Sequence, residues 1–266
     1  MRSNTVKQAL KEGKAQVGTW LSLASPFAAR FMARSGFHWL TLDIEHSPVD
    51  WETAGAIFGA VADAGCVPLA RVPAIRHDYV KRALDAGAYG IVFPMCCSAD
   101  EAYEAVAACK YPPAGRRSVG GGLHTLNFDA SSSDYYAHAN DEILVIVQAE
   151  HYLAVERCEE IFAVPGLDAM FVGPNDLLAS MGKTPAMETD DPEFVAALRK
   201  LLDAAVRHGI APGLHTADAE MALRRIAEGW RFVAISSELG FMMTEARRTV
   251  QAVIGHEAKT GVAPRY

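Results

Sequence analysis

The sequence predicts an α/β fold, a (β/α)8 TIM barrel, and three observations carry that prediction. Short β-rich runs alternate with longer amphipathic segments about eight times along the chain. Several of those segments stop on glycine, at Gly65, Gly87 and Gly209, where a left-handed residue closes a helix. No Gly-x-Gly-x-x-Gly turn follows the first strand, which argues against an open nucleotide-binding sheet with the same alternation. At 266 residues the chain has the length of one such barrel.

Taken in order, the polar and charged stretch from Met1 to Gln16 reads as an N-terminal helix ahead of the barrel. Strands are expected at 17–21, 39–43, 67–71, 90–94, 143–148, 169–172, 211–214 and 232–235. Helical period marks 51–64, 77–86, 99–108, 192–208 and 218–228 between them. The connection 111–140 carries the run Gly120-Gly121-Gly122 with no strand before it, and is too long to be mere wiring. The segment 241–254 reads as a C-terminal helix. No repeat, low-complexity tract or linker divides the chain, so residues 1–266 are expected to form a single domain.

Composition narrows the function classes. A net charge of −7 argues against nucleic acid and anionic membranes as partners. No apolar run reaches the roughly 20 residues of a membrane span, and the opening residues do not resemble a signal peptide. The five cysteines form no Cys-x-x-Cys pair and read as reduced core thiols, so a cytoplasmic location is expected.

Catalytic groups of such barrels collect past the C-terminal ends of the strands. The unusual polar residues of this sequence fall there. Strand two runs into Asp43-Ile44-Glu45-His46, strand three ends on Arg71, and strand five ends in Gln148-Ala149-Glu150. Gly173-Pro174-Asn175-Asp176 follows strand six, and His215 follows strand seven. Glu150 and Asp176 sit on neighbouring strand ends and suit a hard divalent cation, two carboxylates leaving most of its coordination sphere open. By spacing alone they could equally be surface or capping carboxylates, Asp176 starting a helix. Arg71 at a strand end would be costly in a packed barrel unless it meets an anion. Gln148 alternates with Ala149 and so shares the side of Glu150. His46 is the best candidate base, since an imidazole exchanges protons near neutral pH. The same alternation turns Glu45 to the opposite side, as a structural residue.

The sequence resembles the HpcH/HpaI aldolase family of metal-dependent class II pyruvate aldolases. The resemblance rests on Gly18-Thr19-Trp20-Leu21, Leu42-Asp43-Ile44-Glu45-His46-Ser47-Pro48, Ala70-Arg71-Val72 and Leu84-Asp85-Ala86-Gly87. It continues through Tyr111-Pro112-Pro113, Arg117-Ser118-Val119-Gly120, Val147-Gln148-Ala149-Glu150 and Phe171-Val172-Gly173-Pro174-Asn175-Asp176-Leu177. These stretches run in order from about residue 13 to 250.

The resemblance implies reversible aldol cleavage of 4-hydroxy-2-oxo acids into pyruvate or hydroxypyruvate and an aldehyde. It implies a divalent metal, Mg²⁺, Mn²⁺ or Co²⁺, held by Glu150 and Asp176. His46 would pair with Asp85 and handle the proton, Arg71 would hold the enolate, and Asp43 would organise the site. Trp20, Gln148, Gly173, Pro174, Asn175 and His215 would line the substrate. Ser118 and Leu123 would shape the acceptor pocket from the long connection, at a subunit boundary. A hexamer of three dimers is implied, with the C-terminal helix exchanged between subunits. Two residues depart from the family pattern: Ala149 stands where isoleucine is common, and His215 where the position is usually apolar.

Three rival readings exist. A Schiff-base aldolase needs a buried lysine at a strand end, and no lysine stands at one. A citramalyl- or malyl-CoA-type lyase would share the metal-enolate chemistry but want a basic groove for the CoA tail. A non-catalytic metabolite-binding barrel would need no proton-transfer pair.

Overall fold

The computed structural model describes residues 1–254, in which eight parallel strands close into a barrel in sequence order, the last pairing back onto the first. The chain opens with α1 (Thr5–Lys11), β1 (Gln16–Leu21), α2 (Pro26–Met32), β2 (Trp39–Asp43) and α3 (Trp51–Ala62). Next come β3 (Val67–Arg71), α4 (His77–Asp85), β4 (Gly90–Phe93) and α5 (Ala99–Cys109). Two further helices, α6 (Leu123–Asn127) and α7 (Ser132–Glu142), precede β5 (Leu144–Gln148). α8 (Tyr152–Glu156) and α9 (Cys158–Phe162) lead to β6 (Ala169–Val172), α10 (Pro174–Ser180) and α11 (Pro192–Arg207). β7 (Ala211–Thr216), α12 (Ala219–Glu228), β8 (Phe232–Ser237) and α13 (Glu238–Ile254) complete it. The predicted barrel and N-terminal helix are both present. The end of the expected single domain, residues 255–266, lies outside the described residues.

Local chemistry explains where the elements begin. Ser25, Asp50, Ser98, Asp191 and Asp218 each accept a first-turn N–H, satisfying donors that have no partner inside the helix. Pro26 and Pro192 start α2 and α11, where no intrahelical N–H is lost. The strands are apolar and buried along nearly their whole length, as parallel strands covered by helices must be. Within the barrel, Trp39 stacks on Phe232 at 4.3 Å between centroids. It fills the space left by Gly18, where any Cβ would overlap the indole.

Several elements differ from the sequence reading. The long connection holds α6 and α7; Ser131 caps α7 by accepting the Asp134 N–H, while α6 is short and is held by packing on α3 and α4. β7 and β8 each run two residues further than expected, so His215 lies within β7. At the other end of the chain, α13 buries only Glu238 and exposes its apolar residues, among them Met242, Val253 and Ile254.

Candidate active site

The C-terminal ends of the strands form the mouth of the barrel, and most of the predicted site residues meet there. Glu150, two residues past β5, is buried. Its Oε1 accepts the Met95 N–H at 3.0 Å and its Oε2 accepts Gln148 Nε2 at 2.7 Å. Met95 takes φ of 53° to aim that N–H, a conformation that costs a non-glycine residue about 1–2 kcal/mol. Gly173 lies against the same carboxylate so closely that a Cβ would overlap Oε2. Burial pushes Glu150 up to about 8, and the negative charge of Asp176 adds to the shift. The Met95 N–H and the charge of Arg71 oppose it. Gln148 Oε1 is sealed from solvent with no partner.

Asp176 is exposed, in the first turn of α10 behind Gly173 and Pro174. The Asn175 amide turns toward Met187 Sδ, at 3.6 Å. Among the described residues no three His, Cys, Asp or Glu side chains form a ready metal cage. The residues present nevertheless fit a hard divalent cation. A buried carboxylate raised by a second carboxylate gains from a cation, oxygen donors suit Mg²⁺ or Mn²⁺, and the orphaned Gln148 oxygen can take a bound water.

Arg71 finds its anions within the protein. Its Nε and Nη2 donate to Asp43 at 3.0 and 2.6 Å, and Glu45 Oε2 stands 3.2 Å from Nε. The guanidinium also lies over the Trp20 ring, 4.6 Å from its centroid. Nη1 has no protein partner among the described residues and is not sealed from solvent.

Glu45 corrects the sequence reading. It faces the site rather than away from it, and burial raises its carboxyl, with Arg71 opposing and Asp43 and Asp176 adding to the shift. The alternation rule failed because β2 ends at Asp43, whose Oδ1 accepts the N–H groups of both Glu45 and His46 and turns the chain. The stretch Asp43-Ile44-Glu45-His46 held the signal: an Asx turn is what an aspartate closing a strand readily makes.

His46 is exposed at the mouth, 3.7 Å from Glu45. It does not meet Asp85 within the chain. Asp85 ends α4, which runs back from the mouth, and its Oδ1 accepts Arg117 Nη2 at 2.8 Å. Arg117 in turn donates to Tyr135 at 2.9 Å. Ser118 and Leu123 are exposed on the same outer segment, Leu123 beside Gly55 of α3. The chain therefore does not bring Asp85, Ser118 or Leu123 to Glu150 and Asp176.

Trp20 is 6% exposed, edge-on to Phe171 at 5.7 Å, with its Nε1 unpartnered. His215 lies 6.0 Å from Trp20 and donates from Nε2 to the Ser236 carbonyl at 2.9 Å. Burial lowers His215 to about 4; the Ser236 hydrogen bond opposes this and Arg71 adds to it. Phe171 and Met95 were not singled out in the sequence; an apolar side chain and a backbone N–H leave no chemical signature there. The buried lysines lie elsewhere: Lys7 and Lys110 both donate to the Ile143 carbonyl, just before β5 begins. Burial and the charge of Lys7 lower Lys110 to about 8, but it stands at the opposite end of the barrel from Glu150.

An eight-stranded barrel with carboxylates gathered around one arginine at its mouth is an enzyme-like scaffold, and the comparisons give its class. Residues 16–244 match the HpcH/HpaI aldolase/citrate lyase family, and the chain belongs to that family. It is 38% identical over 257 residues to a hydroxypyruvate/pyruvate aldolase of Paraburkholderia phytofirmans, covering 94% of this chain and 98% of that protein. It is 36% identical over 261 residues to a 4-hydroxy-2-oxo-heptane-1,7-dioate aldolase of Escherichia coli, covering 98% of each. A crystal structure of a family protein from Burkholderia cenocepacia J2315 superposes with a TM-score of 0.88 at 35% identity, covering 95% of this chain and all of that one. The protein is a carbon–carbon lyase of the aldolase kind.

Proposed function

We propose that this chain, acting as one catalytic domain, cleaves 4-hydroxy-2-oxo acids reversibly into pyruvate or hydroxypyruvate and an aldehyde, with a divalent metal held by Glu150 and Asp176. The observation that carries this reading is the charge balance at the mouth: Asp43, Glu45, Glu150 and Asp176 influence one another there around the single guanidinium of Arg71. Such an excess of carboxylate in a partly buried site calls for a further cation. The relatives' names supply the substrate class.

When bound, the metal supplies Lewis acidity toward the 2-oxo acid. Gln148 fixes Glu150 through Oε2, and Gly173 gives the room beside it. His46 takes the proton of the substrate's C4 hydroxyl; the C3–C4 bond breaks, the aldehyde leaves, and the bond's electron pair forms the enolate of the donor. Arg71 offers Nη1 to the oxygen where the negative charge gathers, while Asp43 holds the guanidinium plane. His46 then returns a proton to C3.

Asp85, Ser118 and Leu123 enter this site from a second copy of the chain. Val119, Leu123 and Leu126 expose an apolar strip on their segment, as a self-association surface requires. The projecting α13 is the element exchanged between copies in the proposed hexamer. Magnesium, manganese and cobalt all suit the oxygen ligands. No helix among the described residues is long and apolar enough to cross a membrane; the proposed cytoplasmic location rests on the free cysteines. The test is cleavage of a 4-hydroxy-2-oxo acid before and after chelator stripping: activity disappears and returns with Mg²⁺ or Mn²⁺. Undiminished cleavage in protein shown metal-free by elemental analysis would refute the reading.

A further inference from the structure

The feature that the proposed mechanism leaves unused is His215. Its setting begins with an irregularity in β8. Along β1 and β8 the pairing steps from Gly18 opposite Ala234 to Trp20 opposite Ser237, so β8 carries one residue more than its partner. Such a bulge takes a backbone group out of the ladder and re-aims it, and bulges of this kind gather beside active sites. Here Ser236 adopts φ of 50°, a left-handed conformation unusual for a serine, and its carbonyl turns to His215.

That contact settles the tautomer. A carbonyl oxygen only accepts, so Nε2 carries the proton and Nδ1 is left with a lone pair. Among the described residues Nδ1 has no protein partner, and it is not sealed from solvent. The ring is wedged among Trp20 and Phe171, with centroids 6.0 and 6.3 Å away. Arg71 is near enough to disfavour a positive charge on the ring, and burial acts the same way, so the imidazole stays neutral across the physiological range. A neutral acceptor is thus held rigidly beside the arginine that receives the donor's developing charge.

We propose that His215 is a specificity-determining residue whose Nδ1 accepts a hydrogen bond from a hydroxyl on the donor, at the carbon next to its keto group. The inference rests on the functional reading above and deepens it: the preferred donor is a 3-hydroxy-2-oxo acid rather than its unsubstituted analogue. An acceptor built into the pocket wall rewards the hydroxylated donor and is left unpaired, or must hold a water, when the hydroxyl is absent. His215 stays out of proton transfer, because a ring held neutral by burial and by Arg71 is a poor base at neutral pH.

The experiment compares kcat/KM for hydroxypyruvate and pyruvate, with one aldehyde and Mg²⁺, in native protein, His215→Leu and His215→Phe. The second variant serves where leucine does not fold. Dissociation constants for both 2-oxo acids, read from tryptophan fluorescence, accompany the rates, since Trp20 neighbours the ring. The expected result is a fall of tenfold or more in the hydroxypyruvate-to-pyruvate ratio, in binding and in kcat/KM alike. An unchanged ratio, with both donors still turned over, overturns the role of His215 and leaves the aldolase reading standing. Turnover of neither donor by the native protein overturns the aldolase reading and this inference together.

Discussion

Glu150 shows most sharply how single residues at the mouth are set for their work. Two donors orient its carboxylate, yet burial and the neighbouring Asp176 hold its proton affinity far above that of a free glutamate, up to about 8. The carboxyl is therefore protonated at neutral pH, and under the proposed reading a cation displaces that proton when it binds. Affinity for Mg²⁺ should accordingly rise with pH up to about 8 and level off above it. Below that point it falls by about tenfold per pH unit. Titration of stripped protein with Mg²⁺ in weakly buffered solution at pH 7 should release close to one proton per site, and Glu150→Gln should release none. Binding at pH 6 as tight as at pH 8, with no proton release, would show that Glu150 is already ionised and that the balance of burial and donors has been misjudged. Arg71 and Asp43 obey related logic, since a planar guanidinium clamped on two atoms by a carboxylate presents its remaining edge in one direction.

Strands and helices were largely legible before any coordinates. Each expected strand formed, because a run such as Leu-Val-Ile-Val beside turn residues has few other uses in an alternating chain. Long amphipathic helices such as α11 were equally plain from their period. The turn after β2 was not, because one side-chain oxygen accepting two N–H groups overrides strand alternation, and this hid Glu45. The bulge in β8 was likewise hidden, since an extra residue in a pairing register leaves no mark in a single strand's composition. Placing Asp85 depended on helix direction: the residue is plain in Leu84-Asp85-Ala86-Gly87, but α4 carries it away from His46. Strand packing also yields a stability prediction. Gly18 of β1 gives its space to the Trp39 ring, which stacks on Phe232, and neither ring has room to retreat. Gly18→Ala should cost about 3 kcal/mol, a strong case of overpacking, and lower the midpoint of thermal unfolding by roughly 6–12 °C. A midpoint within a degree or two of the native protein would mean that the barrel shifts there more freely than its close packing implies.

At the scale of the whole molecule, the site is distributed over one barrel and, under the proposed reading, completed by another. The barrel's mouth carries Glu150, Asp176, Arg71 and His46, while Asp85 ends α4 and the outer segment paired with it carries Ser118 and Leu123, with Val119 and Leu126 exposed around them. If Asp85 serves a neighbour's His46, two defective proteins can repair each other. His46→Ala and Asp85→Asn proteins, each weak alone, should regain activity when unfolded together and refolded as a mixture, because a mixed pair contains one site with both native residues. Activity no higher than the average of the separate proteins would place Asp85 outside the reaction, as a support for Arg117 alone. Under the proposed reading this mouth forms an enolate of a 2-oxo acid with the help of a divalent metal. That claim is tested most directly by exchange of the methyl protons of pyruvate with D₂O, followed by proton NMR without any aldehyde present. Exchange should proceed in protein supplied with Mg²⁺ or Mn²⁺, stop after chelation, and be absent in Glu150→Gln. Exchange at the full rate in protein shown to be free of metal would contradict the claim.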